Sequence, residues 1–153
     1  MPFDDTVFLR KNVDILSFFT DEQLRKVTAV IDRQIYDPGK LVIFQGEIGQ
    51  NFYIIKRGKV QVTARSGKDK VELAELKGGD FFGEMSLLDE IPVGATVKVT
   101  EADTEILTIS HDVFQTMLKD NPPLEMMIRQ RINERRLRRE QAMKKDTPPA
   151  PAP

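Results

Sequence analysis

The sequence predicts a mainly β fold, in which short antiparallel strands form a barrel or jelly roll and helices flank it at both ends. All nine glycines lie between Gly39 and Gly94, and the apolar residues of this region alternate or come in short runs, as is typical of strands joined by turns. Amphipathic segments with helical spacing stand before and after it. A chain of 153 residues is long enough for one domain with a sizeable core.

A helix is predicted before the sheet. Thr20 is a suitable N-cap, and Asp21 and Glu22 place acidic side chains in the first turn, where they complement the helix dipole. The apolar stripe that follows at helical spacing consists of Leu24, Val27, Val30 and Ile31. We place the N-terminal helices within residues 6–32.

Seven strand segments are predicted in a β region that spans residues 33–110. Turn residues separate them, chiefly glycine, proline and aspartate. The segments are Arg33–Tyr36, Leu41–Phe44, Phe52–Lys56, Lys59–Ala64, Lys70–Leu76, Ala95–Val99 and Thr104–Ser110. Many short strands at this spacing are typical of a closed or sandwiched antiparallel structure.

Two helices are predicted after the sheet, within residues 111–145. Ser110 is a suitable N-cap for the first of them, and Asn121-Pro122-Pro123 ends it and starts the second, because proline is tolerated in a first helical turn. The buried face of the first helix is expected to include Val113, Phe114, Met117 and Leu118. The apolar face of the second consists of Leu124, Met127, Ile128 and Ile132. Its outer half is polar nearly all round, so we expect it to project into solvent or to meet a partner.

Charge is distributed unevenly along the chain, although the net charge is only −1. From Arg129 to Lys145, eight basic residues accompany two acidic ones, which gives +6, whereas residues 1–128 carry 15 basic and 21 acidic residues, which gives −6. A basic helix on an acidic body suits an acidic partner or a nucleic acid, although the same pattern is typical of a solvated terminal helix. No helix-turn-helix segment follows, so we expect no DNA-binding domain. The domain is expected to span residues 1–140, with a disordered Pro/Ala tail at 146–153.

The composition excludes several chemistries. The absence of cysteine rules out a thiolate nucleophile, a disulfide framework and a zinc finger, and a single histidine argues against a histidine-built metal site. No apolar run is long enough to cross a bilayer, and the N-terminal segment MPFDDTVFLRKN is acidic where a signal peptide is basic. We therefore expect a cytoplasmic protein that is not an enzyme and that has no metal, cofactor or membrane segment.

The segment GDFFGEMSLLDEIPVGATV, residues 79–97 and called the cassette below, suits a small ligand. Glycines precede a short helix-compatible run, so backbone N–H groups lie beside residues with small side chains, an arrangement that suits an anionic oxygen. A carboxylate in this place would repel a phosphate but can accept a hydrogen bond from a neighbouring sugar hydroxyl, and Glu84 is the candidate. Taken alone, these residues favour a packed loop over a ligand site.

Over residues 9–140 the chain resembles the cyclic nucleotide-binding domains of protein kinase A regulatory subunits, cyclic AMP receptor protein and nucleotide-gated channels. The similar segments are LSFFTDEQLRKV, GEIGQNFYIIKRGKVQV, the cassette and ILTISHDVFQTML. The resemblance implies an eight-stranded jelly roll, or double-stranded β-helix, with an N-terminal helix and C-terminal helices. It also implies that Glu84 binds a ribose 2′-hydroxyl and that the backbone of Gly83, Met85 and Ala95 surrounds a cyclic phosphate. The implied ligand-binding residues are Phe82, Gly83, Glu84, Met85, Ser86, Pro92, Val93, Gly94, Ala95 and Thr96.

The chain departs from the family pattern immediately after the cassette proline. Val93 occupies the place where the family usually has an arginine that pairs with the phosphate. A lost charge-assisted hydrogen bond, worth about 1.5–3 kcal/mol, weakens binding roughly ten- to a hundredfold. Arg131 and Arg135 of the last helix are the candidates to reach in as a lid. Gly94 stands where members that prefer cyclic GMP often have threonine, which favours cyclic AMP.

Two functions remain open on these residues. In the first, the domain is a regulatory or sensor module that binds a cyclic nucleotide and signals to a protein partner, or to a second copy, through its C-terminal helix. In the second, nucleotide binding is lost and the fold is a protein-interaction or dimerisation module. Val93 favours the second function, whereas the intact Phe82-Gly83-Glu84 favours the first.

Overall fold

The computed structural model describes residues 5–87, 91–119 and 121–146. Within them, eight strands lie between two N-terminal and two C-terminal α-helices. The helices are α1 (Asp5–Asn12), α2 (Asp21–Val30), α3 (His111–Lys119) and α4 (Pro122–Asp146), and short 3-10 helices cover Asp14–Leu16 and Glu84–Leu87. The strands are β1 (Asp32–Tyr36), β2 (Leu41–Ile43), β3 (Asn51–Arg57), β4 (Lys59–Ser66), β5 (Asp69–Lys77), β6 (Phe81–Phe82), β7 (Thr96–Val99) and β8 (Thr104–Ser110).

The strands form two four-stranded antiparallel sheets, with the orders β1-β8-β3-β6 and β2-β7-β4-β5. This is the mainly β jelly-roll fold with flanking helices that the sequence predicts. The seven segments predicted from the residues omit β6, because two residues between a turn and a 3-10 helix are too few to show an alternating pattern.

The first sheet separates two apolar clusters, because successive side chains of a strand face opposite sides of a sheet. Phe52 and Phe81 belong to the cluster between this sheet and the helices. Ile55 and Phe82 belong to the cluster between the two sheets. The cassette therefore contributes one phenylalanine to each face of the first sheet, through strand β6.

Helix caps form at the predicted positions. The Thr20 hydroxyl accepts a hydrogen bond from the Gln23 backbone N–H at 3.2 Å, and the Gln23 side chain accepts one from the Thr20 N–H at 2.8 Å, which completes a capping box. The Ser110 hydroxyl accepts a bond from the Val113 N–H at 3.2 Å and caps α3. The prediction that Val30 belongs to the buried stripe of α2 is wrong. Val30 is 47% exposed, because the helix ends there and the chain continues into β1.

Helix α4 buries a narrower face than predicted. Leu124, Ile128 and Ile132, four residues apart, lie in the core, whereas Met127 is 43% exposed, because a single row of apolar side chains of this helix is buried. Beyond Ile132, the side chains that the structure describes in this helix are exposed. None of the described helices is long and apolar enough to span a bilayer.

Candidate functional site

The β2–β3 turn pairs with the second half of the cassette. The Gly46 N–H donates to the Val93 carbonyl oxygen at 2.9 Å, the Val93 N–H donates to the Glu47 carbonyl oxygen at 2.8 Å, and the Gly49 N–H donates to the Ile91 carbonyl oxygen at 2.9 Å. An antiparallel bridge between Ile48 and Pro92 lies between these bonds. The pairing brings Val93 to the wall of a cavity.

This cavity has a volume of about 250 Å³, and it is formed by β2, β3, the turn between them and two points of the cassette. Its lining residues are Val42, Ile43, Glu47, Ile48, Gly49, Gln50, Asn51, Tyr53, Gly83 and Val93. Of the residues implied by the family resemblance, the cavity thus brings together Gly83 and Val93. The other eight lining residues were not predicted as site residues.

Gly83 occupies a position where a side chain would be crowded. Its φ is +78°, in the region that favours glycine, and a Cβ built on it would lie 3.0 Å from the carbonyl oxygen of Asn51 and 3.3 Å from Cδ2 of Tyr53. The cassette backbone therefore approaches β3 closely at the edge of the cavity.

Glu84 follows directly and begins the 3-10 helix Glu84–Leu87, which packs against β3 and α3. Its side chain is only 1% exposed and is not among the groups that line the cavity. Met85 packs against the helix-side core. The side chain of Ser86 lies outside the described part of the chain.

The remaining predicted residues do not line the cavity. Pro92 and Gly94 are exposed, and the Thr96 hydroxyl accepts a hydrogen bond from the Gln45 N–H at 2.9 Å, which holds β7 to the end of β2. Ala95 is partly buried. Phe82 is 4% exposed and lies behind the cavity, where its ring stacks on that of Tyr53 with centroids 4.9 Å apart.

Tyr53 is a hydrogen-bonding group of the cavity wall. Burial raises the pKa of its phenol above 10.0, a hydrogen bond from the Asn51 side chain acts in the opposite direction, and the charge of Glu47 raises the pKa further. The Asn51 amide nitrogen donates to the phenol oxygen at 3.4 Å. The hydroxyl is therefore protonated at neutral pH, and its own hydrogen can be donated to a ligand.

The charged group of the cavity wall is acidic. Glu47 accepts a hydrogen bond from the Phe44 N–H at 2.9 Å, which holds its carboxylate in the turn. None of the described residues that line the cavity is lysine, arginine or histidine. The sequence itself contains no basic residue between Lys77 and Lys98.

The candidate lid arginine Arg131 is engaged elsewhere in this conformation. Its guanidinium lies 3.4 Å from the Asp14 carboxylate and 5.4 Å from the centre of the Phe18 ring, so it ties α4 to the N-terminal segment. The side chain of Arg135 lies outside the described part of the chain.

The sequence contained a signal for the residues that were missed. The segment GEIGQNFY, which spans Gly46–Tyr53, is part of the family resemblance, but its glycines by themselves predict only a turn. Only the pairing of this turn with the cassette shows that its polar side chains share a cavity with Val93.

Comparisons with known proteins agree with this architecture. A family model described as a cyclic nucleotide-binding domain matches residues 33–121. The cAMP-dependent protein kinase regulatory subunit of Yarrowia lipolytica is 36% identical over 120 residues, an alignment that covers 74% of this chain and 31% of the relative. The cGMP-dependent protein kinase, isozyme 1, of Drosophila melanogaster is 30% identical over 120 residues, covering 76% of this chain and 16% of the relative.

A solved structure shows the same fold. The Thermus thermophilus Catabolite Activator Protein is 31% identical and superposes with a TM-score of 0.71, covering 86% of this chain and 61% of that one. The chain spans less than a third of the length of the two protein kinase relatives.

Proposed function

Because this chain belongs to the cyclic nucleotide-binding domain family, we propose that it is a non-catalytic regulatory module that binds a cyclic nucleotide in the cavity between the β2–β3 turn and the cassette. The observation that carries the proposal is the meeting of Gly83 and Val93, ten residues apart in the cassette, in the wall of one cavity. Cyclic AMP is the preferred ligand over cyclic GMP, since Gly94 provides no threonine hydroxyl. The expected cytoplasmic location is part of this proposal.

Glu84 is the proposed acceptor for a sugar hydroxyl. The side chain of Glu84 is buried and does not line the cavity, so it reaches a sugar bound there only if its segment moves. The segment Glu84–Leu87 therefore shifts when ligand binds. That shift is the first step of the signal, because the same segment packs against α3.

The C-terminal helices receive the signal through two connections. The His111 N–H, at the start of α3, donates to the carbonyl oxygen of Gln50 in the cavity wall at 2.8 Å. Helix α4 packs on the core beside α3 and holds Asp14 through Arg131. A ligand that moves the cavity wall therefore changes how α4 packs on the core, and the part of α4 beyond Ile132 meets a protein partner or a second copy.

The second candidate is a ligand-independent interaction module. It is favoured by the character of the described cavity wall, which contains the carboxylate of Glu47 and no basic side chain. A phosphate placed there has no opposite charge with which to pair.

Calorimetric titration with cyclic AMP, cyclic GMP and cyclic dinucleotides tests the proposal. We expect saturable binding of cyclic AMP that is tighter than that of cyclic GMP. Glu84→Ala is expected to weaken binding by about 1–3 kcal/mol through the loss of a buried hydrogen bond, with thermal unfolding as the check that the variant is folded. No binding of any of these ligands supports the interaction module, and an unchanged affinity in a folded Glu84→Ala variant removes that residue from the site.

A further inference from the structure

We infer that Glu47 and Val93 together set the charge of the ligand, so that the cavity binds an uncharged nucleoside at least as tightly as the anionic cyclic phosphate of the same nucleoside. This inference rests on the proposed function and names the ligand class of that same cavity. Its three supports are the missing counter-charge, the carboxylate of Glu47 and the neutral character of the remaining polar groups.

The first support is the absence of a counter-charge among the described lining residues, none of which is basic. An anion that leaves water for a partly enclosed site loses hydration, and an opposite charge normally compensates for that loss. Val93, an apolar side chain, lines the cavity at the position where the family usually has its phosphate-binding arginine. The phosphate therefore gains little from entering this cavity.

The second support is the carboxylate of Glu47, an exposed side chain that one hydrogen bond ties to the turn. The hydrogen bond from the Phe44 N–H holds it in the β2–β3 turn, within the lining. Its field reaches across the cavity wall: the pKa of Tyr53, raised first by burial, is raised further by the charge of Glu47. An anionic ligand in the same space is also repelled by this carboxylate, although solvent screens part of the repulsion because Glu47 is exposed.

The third support is the chemistry of the other polar lining groups. Gln50, Asn51 and the protonated phenol of Tyr53 are uncharged hydrogen-bonding groups, and they lie beside the apolar surfaces of Ile43 and Val93. Such a set suits hydroxyl and amide groups on an uncharged ring system. The volume of about 250 Å³ is below the roughly 300–1,000 Å³ of common ligand clefts, which favours a small ligand.

Adenosine and cyclic AMP are the probes, because they share a base and a sugar and differ in the phosphate charge. Calorimetry on the full chain measures the ratio of their affinities in the wild type, in Glu47→Gln and in Val93→Arg. Glu47→Gln retains an oxygen that can accept the Phe44 N–H and removes the charge. Glu101→Gln, at an exposed residue of the β7–β8 turn, changes the net charge equally and serves as the matched control.

In the wild type we expect adenosine to bind at least as tightly as cyclic AMP. Val93→Arg is expected to shift the ratio toward cyclic AMP by about ten- to a hundredfold, the worth of one charge-assisted hydrogen bond. Glu47→Gln is expected to shift it in the same direction by less, with the shift shrinking at high salt, and Glu101→Gln is expected to leave it unchanged.

The possible failures are distinguishable. If the wild type binds cyclic AMP at least about tenfold tighter than adenosine, the proposed function stands and this inference is overturned. An affinity ratio that Glu47→Gln does not change also overturns it. If neither probe binds to the wild type, the inference and the proposed cyclic nucleotide function fall together.

Discussion

Gly83 shows at the scale of one residue how closely the cassette approaches β3. Gly39 has a similar backbone, with φ of +92°, but a Cβ built on it meets no atom within 4 Å. Alanine at either position costs about 1–2 kcal/mol for the left-handed backbone. We expect Gly83→Ala to lower the free energy of unfolding by more than Gly39→Ala, because its methyl group also meets the Asn51 carbonyl oxygen. Urea denaturation measures both losses of stability. Equal losses would contradict the prediction, because they would mean that the backbone around Asn51 moves away from the new methyl group without lowering the free energy of unfolding.

The half-buried phenols of Tyr36 and Tyr53 make stability depend on alkaline pH. Burial is the main cause that raises both pKa values above 10.0. As the pH rises through this range, the unfolded chain loses these protons before the folded chain does, so unfolding becomes more favourable. The stabilisation is therefore complete below pH 10 and is lost as the pH approaches the folded pKa values.

We expect the free energy of unfolding to fall between pH about 8 and about 10.5, and Tyr53→Phe to reduce that fall. Urea denaturation at the two pH values provides the measurement, with Tyr36→Phe as the comparison at the other half-buried phenol. The same pH dependence in the wild type and in both variants contradicts the assignment.

Among the elements, α4 divides into two parts at Ile132. Leu124, Ile128 and Ile132 anchor its first half in the core, whereas Arg136 and Leu137 are exposed. A highly charged helix without a buried face gains little stability from propensity alone. Its basic residues and the net charge of −6 on residues 1–128 suit association with an acidic partner or with a second copy of this chain.

We therefore expect deletion of residues 134–153 to leave the β domain folded and to abolish association. Deletion of 147–153 alone is the matched control and is expected to change neither property. Sedimentation measures the association, and hydrogen exchange measures the protection of 134–145. Strong protection of these amides in a monomer would show that the helix is stabilised within its own chain, and the interaction role would then be lost.

Elements differ in how far their sequence predicts them. The caps at Thr20 and Ser110 were predictable because each depends on a side chain within three residues of its partner. Strand β6 was not, because its pairing with Tyr53 and Ile54 is non-local and its two residues carry no periodicity of their own. The exposure of Met127 likewise depends on how narrowly α4 meets its neighbours.

For the molecule as a whole, Asp5 links the first helix to the first sheet. Its side chain is 1% exposed and forms ion pairs with Arg33 of β1 and Lys56 of β3. Removing one partner of a fully buried pair costs roughly 3–5 kcal/mol, but these two cations are partly exposed and can regain hydration. We therefore expect Asp5→Asn to cost about 1.5–3 kcal/mol, the range for hydrogen bonds to charged groups.

The exposed pair of Arg10 and Asp21 provides the control for this measurement. Their side chains are 39% and 71% exposed, so Arg10→Gln is expected to cost at most about 1 kcal/mol in urea denaturation. Equal losses for Asp5→Asn and Arg10→Gln would show that α1 is held by apolar packing alone.

The fold class, the two helix caps and the position of Val93 in the cassette are predictable from the residues, because periodicity, turn residues and short motifs are local properties of a chain. Which side chains surround the cavity depends on contacts between distant segments. Glu47 and Tyr53 are distant from Val93 along the chain and meet it through the pairing of the β2–β3 turn with the cassette. The ion pair between Arg131 and Asp14 was likewise not predictable. It depends on how α4 packs across the N-terminal segment and not on any spacing within the helix.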